Sequence, residues 1–188
     1  MLRYLLAATL ILGCSKPADS ARKESAGGTP EAAAQAFGEA LKANDWAAAA
    51  RMMHPEALKQ LRDLFQPMLS TPGAEGMGAE LFGAPSNAEL ALLPDTVMFA
   101  NFLENVLNQQ PGLSDAMRTA QIDPLGHVQA GDTALVVSRM AFTVEGMTIS
   151  QFDVMPFIND GGEWKGLLKA DFTNMAAMIK RSLQAPQS

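Results

Sequence analysis

Between residues 133 and 162 the chain alternates apolar and polar side chains and is punctuated by two tight-turn signals, a pattern that predicts consecutive antiparallel strands. Ala134, Val136, Met140, Phe142 and Val144 share one face, with Thr133, Arg139 and Thr143 on the other. Glu145-Gly146 marks the first turn and Asp160-Gly161-Gly162 the second. In the run between them, Met147 and Ile149 share a face, while Phe152, Val154 and Ile158 fall on the opposite one. Such a change of phase predicts a β-bulge near Ser150-Gln151. A further run from Trp164 to Phe172 places Trp164, Leu168, Ala170 and Phe172 inward. A weaker strand is expected from Met117 to Val128, broken by Pro124.

The half of the chain before these strands is helical in pattern. Thr29-Pro30-Glu31 combines a capping hydroxyl, a first-turn proline and an acid near the positive helix end, with Ala33, Phe37, Ala40 and Leu41 recurring at helical spacing. Asn44-Asp45 breaks that helix, and Trp46 to Met53 begins a second. Pro55 disfavours helical geometry at His54 and opens a third helix with Leu58, Leu61, Phe65 and Met68 as its apolar stripe. Residues 70–86 are rich in Gly, Pro, Ser and Ala and read as a loop. Ser86-x-x-Glu89 has the form of a capping box, and Asp95 or Thr96 caps a helix with Phe99, Phe102, Leu103, Val106 and Leu107 inward, stopped by Pro111-Gly112. A last helix over residues 174–183 carries Met175, Met178, Ile179 and Leu183. Helices followed by an antiparallel meander specify an α+β domain, with N-terminal helices packed on one face of the sheet.

The first residues carry a different message. Arg3 precedes an apolar run from Leu5 to Leu12 that Thr9 interrupts. That run has the form of a secretory signal, and it is well short of the about 20 residues needed to cross a bilayer. Ile11-Leu12-Gly13-Cys14 then resembles the bacterial lipobox. The resemblance implies cleavage before Cys14, with diacylglycerol on its thiol. Ser15, where an Asp would favour retention in the inner membrane, implies the outer membrane, with the domain facing the periplasm. Cys14 is the sole cysteine, so no internal disulfide competes for it. Residues 1–13 are thus expected as a signal peptide and residues 14–28 as a lipid-anchored tether. The tether is polar and without apolar period, and ~14 residues of coil span ~20 Å. Residues 29–184 form the folded domain.

The whole chain has a net charge of −6, and loss of Arg3 with the signal makes the remainder more acidic still. That balance opposes phosphate backbones, so nucleic acid is not an expected partner. The chain holds 12 Met residues. They raise a thioether copper site, with Met175-x-x-Met178 near Met52-Met53 as its nearest form. Flexible core filling accounts for them more simply, and no metal or cofactor is expected.

Thr29 to Glu56, with its Pro-Glu helix start, Phe37, the A-L-K segment, the polar break and Asp45-Trp46-Ala47, resembles the opening of NTF2-like domains, among them those of small bacterial lipoproteins. The resemblance implies a cone-shaped fold in which helices close a curved sheet, here with a helical insertion at about 86–110. Trp46, Met140, Phe142, Phe152 and Trp164 are then candidate pocket residues. Enzymes of that fold use a pocket carboxylate with a Tyr or protonated acid. Tyr4 is the only tyrosine and leaves with the signal. His54 beside Pro55 and His127 beside Gly126 read as locally bonded residues, and no Cys/His cluster has zinc spacing.

Asp153 is the one acid with a claim to chemistry. Inward it would be a base or ligand anchor; outward it would be a solvated partner of Lys165 or Lys169. Asp171 reads as a paired surface acid and Asp123-Pro124 as a turn or bulge. The expected function is a membrane-tethered module, non-enzymatic, that binds a small apolar ligand or an envelope protein. Its rivals are an isomerase- or hydrolase-like enzyme using Asp153 and a structural role in envelope assembly.

Overall fold

Thr29 begins the first helix as expected: its hydroxyl accepts a hydrogen bond from the Ala32 N–H at 3.2 Å, and α1 runs from Pro30 to Lys42. The computed structural model describes residues 28–69, 75–109, 111–144 and 146–170. Cys14, the signal and tether before Gly28, Asp171, Phe172 and the expected helix over 174–183 with Met175 and Met178 lie outside the described residues.

Asn44 takes a left-handed φ of 56°, which turns the chain, and Asp45 caps α2 (Trp46–Arg51) through the Ala48 N–H at 2.8 Å. His54 Nδ1 accepts from the Glu56 N–H at 3.2 Å where α3 (Pro55–Leu69) begins. Leu58, Leu61 and Phe65 are buried along that helix, as their spacing requires. Residues 75–82 correct the expected loop. They form α4 (Glu75–Phe82), in which Phe82 is fully buried and packs edge-on to Phe65, with centroids 5.2 Å apart. Tertiary burial outweighs the poor helix propensity of Gly76 and Gly78.

Ser86 caps α5 (Asn87–Leu92) through the Glu89 N–H at 3.2 Å. The next helix, α6 (Asp95–Asn108), begins earlier than expected: its cap position is Pro94, which has no side-chain acceptor, and Asp95, inside the helix, is engaged by the Arg62 guanidinium of α3. Asn101 and Asn105 of α6 donate to the carbonyls of Phe82 and Leu81, which satisfies the exposed end of α4. Pro111 opens a helix instead of only ending one. α7 (Pro111–Thr119) therefore contains Met117, and the strand expected from Met117 starts later.

The strands follow in meander order as one curved, open antiparallel sheet: β1 (Gln121–Ala130), β2 (Thr133–Val144), β3 (Met147–Asp160) and β4 (Glu163–Gly166). With the helices on one side, the chain is an α+β domain consistent with the NTF2-like arrangement.

The β2–β3 register is unbroken from Thr133↔Ile158 to Val144↔Met147, so there is no bulge at Ser150-Gln151. The irregularity lies in edge strand β1, between Pro124 and Gly126, where proline cannot donate to the ladder and Gly126 takes a φ of 152°. The change of phase in β3 has another cause. Phe152 and Val154 stand on the outer face of a regular strand, 72% and 46% exposed. The last strand is also shorter than its pattern. β4 stops at Gly166, whose backbone bonds Met52 O and His54 N at 2.8 Å each, so the chain ahead of α3 extends the sheet. The Leu167 N–H still donates to the Pro156 carbonyl of β3 at 2.9 Å, so Gly166 and Leu167 bridge the two neighbours.

α1 lies against β1, β2 and β4, α7 against β2, and α6 gathers α2, α3 and α4. Two clusters of buried residues result. One is helical, centred on Leu61, Phe65, Phe82 and Met98. The other joins Ala34 of α1 to Ala134, Val136, Phe157 and Trp164 of the sheet.

Candidate functional site: an apolar cavity over the sheet

The helical layer and the sheet part company beyond Val136. Between them lies a cavity of about 620 Å³. Phe37 and Leu41 of α1 and Phe99, Phe102 and Leu103 of α6 supply its helical wall. Ile122, Met140 and Met155 supply its floor, and Leu167 and Leu168, just past β4, line it from the C-terminal side. Gly38 permits the close approach of α1 to β1 along this wall. A Cβ there would stand 2.6 Å from the Ile122 Cδ1, so a larger residue would push α1 outward or displace Ile122.

Polar side chains enter at one place. Ser138, Gln151 and Asp153 project inward from β2 and β3, and Lys169 reaches in from the segment after β4. The register explains the grouping: Ser138 is paired across the ladder with Asp153, and Met140 with Gln151. Alternation then puts all four on the inner face. Lys169 Nζ donates to both oxygens of Asp153, at 2.5 and 2.6 Å. Among the described residues, the one carboxylate and the one ammonium of the lining therefore neutralise each other. Ser138 is 6% exposed and Gln151 is exposed, and among the described residues no buried side-chain nitrogen or oxygen lacks a hydrogen-bond partner.

The two expectations for Asp153 both hold in part. It faces the cavity, and it is paired with Lys169. Proton abstraction would require that pair to open, and no second acid, histidine or tyrosine lines the cavity among the described residues. Of the candidate pocket residues, Met140 lines the cavity and the others do not. Phe152 is corrected by the register, which turns it to the outer face. Trp164 is 9% exposed and packs with Phe157 and Ala34, so it belongs to the closed end of the sheet. Phe142 lies on the inner face but beyond the lining, and Trp46 starts α2 away from it.

The sequence reading missed Ser138 and Gln151, named Lys169 only as a partner of an outward Asp153, and placed Phe99, Phe102 and Leu103 of α6 inward without assigning them to the pocket. Ser138 and Gln151 carried a signal: each is a polar residue at an inward position of its strand, where a filled core would place an apolar one.

The histidines lie outside the cavity. His127 Nδ1 is hydrogen-bonded to the Glu31 carboxylate, which ties the first turn of α1 to β1, and the His127 side chain is 5% exposed. Burial works to raise the Glu31 pKa. The hydrogen bond with His127 leads the opposing influences, joined by the backbone of Glu31, the Thr29 hydroxyl and the charge of His127, and holds the carboxyl below its ordinary value of 4.5. His54 caps α3 and lies 3.9 Å from Asp160. No group of three or more His, Cys, Asp or Glu residues that could hold a metal ion occurs among the described residues.

No family model matches this chain, and no curated protein matches it. A solved structure described as the crystal structure of TerC co-crystallised with polyporic acid is similar over 79% of this chain and 99% of that one, with 17% identity and a TM-score of 0.35. At that distance the likeness assigns no activity here. No helix among the described residues is long and apolar enough to cross a membrane.

Proposed function

We propose that this chain is an envelope lipoprotein whose domain binds a small apolar or amphipathic molecule in the cavity between α1, α6 and the sheet. The observation that carries the reading is the cavity itself. Its volume of about 620 Å³ lies within the roughly 300–1,000 Å³ of small-molecule sites, and an apolar wall with a few convergent polar groups is their usual lining. The engagement of Asp153 by Lys169 supports binding over turnover.

Nile red, a neutral apolar dye, tests this reading. The full chain carrying Cys14→Ser, and so no acyl group, is expected to bind about one dye molecule, with a blue-shifted emission. Met140→Trp fills the floor of the cavity and is expected to weaken that binding at least tenfold while the far-ultraviolet dichroism is retained. Equal binding by both proteins would end the cavity reading.

The anchoring half of the proposal rests on the lipobox-like Ile11-Leu12-Gly13-Cys14. In bacterial cells, wild-type chain is expected to incorporate labelled palmitate and to fractionate with membranes, and Cys14→Ser to do neither. Membrane partitioning by the serine variant would contradict it.

A further inference from the structure

Building on the reading of the cavity as a binding site, we infer that its ligand carries an uncharged head group able to hydrogen-bond, such as an alcohol, ester or amide, and that carboxylates and amines with the same apolar tail are selected against.

The charges of the lining lead to this. Among the described residues Asp153 is its one anion and Lys169 its one cation, and they are bonded to each other through both carboxylate oxygens. A ligand carboxylate that shared Lys169 with Asp153 would put two anions beside a single ammonium. A ligand amine that shared Asp153 with Lys169 would put two cations beside a single carboxylate. Either arrangement puts an uncompensated charge at a part-buried site, where the Asp153 side chain is 29% exposed. A neutral head group disturbs neither partner.

Neutral recognition groups stand next to that pair. The Ser138 hydroxyl offers a donor and an acceptor, and the Gln151 amide offers donors and an acceptor. Both line the cavity, Ser138 as a buried residue and Gln151 as an exposed one. An alcohol or carbonyl placed over them would find a donor and an acceptor in each, with its chain running along Phe99, Phe102 and Leu103. The same apolar volume with a charged head would satisfy the wall and conflict with the floor.

Displacement of Nile red from the Cys14→Ser full chain by 1-dodecanol, dodecanoate and dodecylamine at pH 7.5, all below their micellar concentrations, tests the inference. Dodecanol is expected to displace the dye at a concentration at least tenfold lower than either charged analogue. In Asp153→Asn, which frees Lys169, dodecanoate is expected to gain at least tenfold relative to dodecanol. Dodecanoate or dodecylamine equal to dodecanol on the otherwise wild-type chain would overturn the head-group inference and leave the cavity reading standing. Failure of Nile red to bind, or binding unaffected by Met140→Trp, would overturn the cavity reading and the inference with it. The ranking on the otherwise wild-type chain decides the matter even where Asp153→Asn fails to fold.

Discussion

The two ends of the sheet use the same strands to opposite purpose. At one end Phe157 sits between Ala134 on β2 and Gly166 on β4, with Trp164 close by and Ala34 of α1 pressed on top; Ala134, Val136 and Phe157 have no measurable exposure. At the other end the inner face continues through Ser138, Met140, Gln151 and Asp153, and the helices stand away from it. Large side chains alternate with small ones where the core closes. Polar or flexible ones occupy equivalent positions where it does not. A regular pleat can thus be filled or hollow according to four or five inward residues, with no change of topology.

Truncations should separate the two ends sharply. Phe157→Ala removes a fully buried ring from the closed end and is expected to cost about 3–5 kcal/mol, a fall of roughly 10 °C or more in Tm, by denaturant and thermal unfolding. Met140→Ala removes a side chain that already borders empty space and is expected to cost less than about 1.5 kcal/mol. Similar costs at the two sites would erase the distinction between a packed and a hollow end.

A smaller effect sharpens the same contrast through pH. His127 is paired with Val136, at the closed end, and its bond to Glu31 pins α1 there. The folded-state pKa of Glu31 is lowered, so the stability it contributes is present above the ordinary value of 4.5 and is lost as pH falls through the lowered one. Thermal melts from pH 6 to pH 3 are expected to show Glu31→Gln less stable than wild type at pH 6, with the gap closing below about pH 4.5. A gap that stayed constant to pH 3 would remove Glu31 from the clamp.

Much of this fold was legible in the sequence. The caps at Thr29, Asp45 and Ser86, the full extent of β2 and the turns at Gly146 and Gly161-Gly162 are local, and local chemistry decides them. The failures share a cause, which is partner geometry. α4 exists because Phe65 and Phe102 await Phe82, and the glycines around it gave no hint of that. Phe152 was expected inside with a bulge at Ser150-Gln151, yet the unbroken β2–β3 register turns it outward and turns Asp153 inward. A single strand cannot show which of its two faces will be covered. The site was half visible for the same reason. Met140 was nameable from alternation and Asp153 with Lys169 from their charges, but the face on which they meet was not, because Lys169 lies past the end of β4 and reaches Asp153 across 16 residues of sequence.

The central claim is that the hollow end of the sheet holds an apolar ligand, and methionine methyl resonances report on it directly. With methyl-labelled methionine in the Cys14→Ser chain, saturation by 1-dodecanol is expected to shift the resonances of Met53, Met117, Met140 and Met155, which line the cavity. The resonances of Met77 and Met147, which do not line it, should stay in place. Shifts confined to Met77 or Met147, or no shifts at all at saturation, would contradict the account.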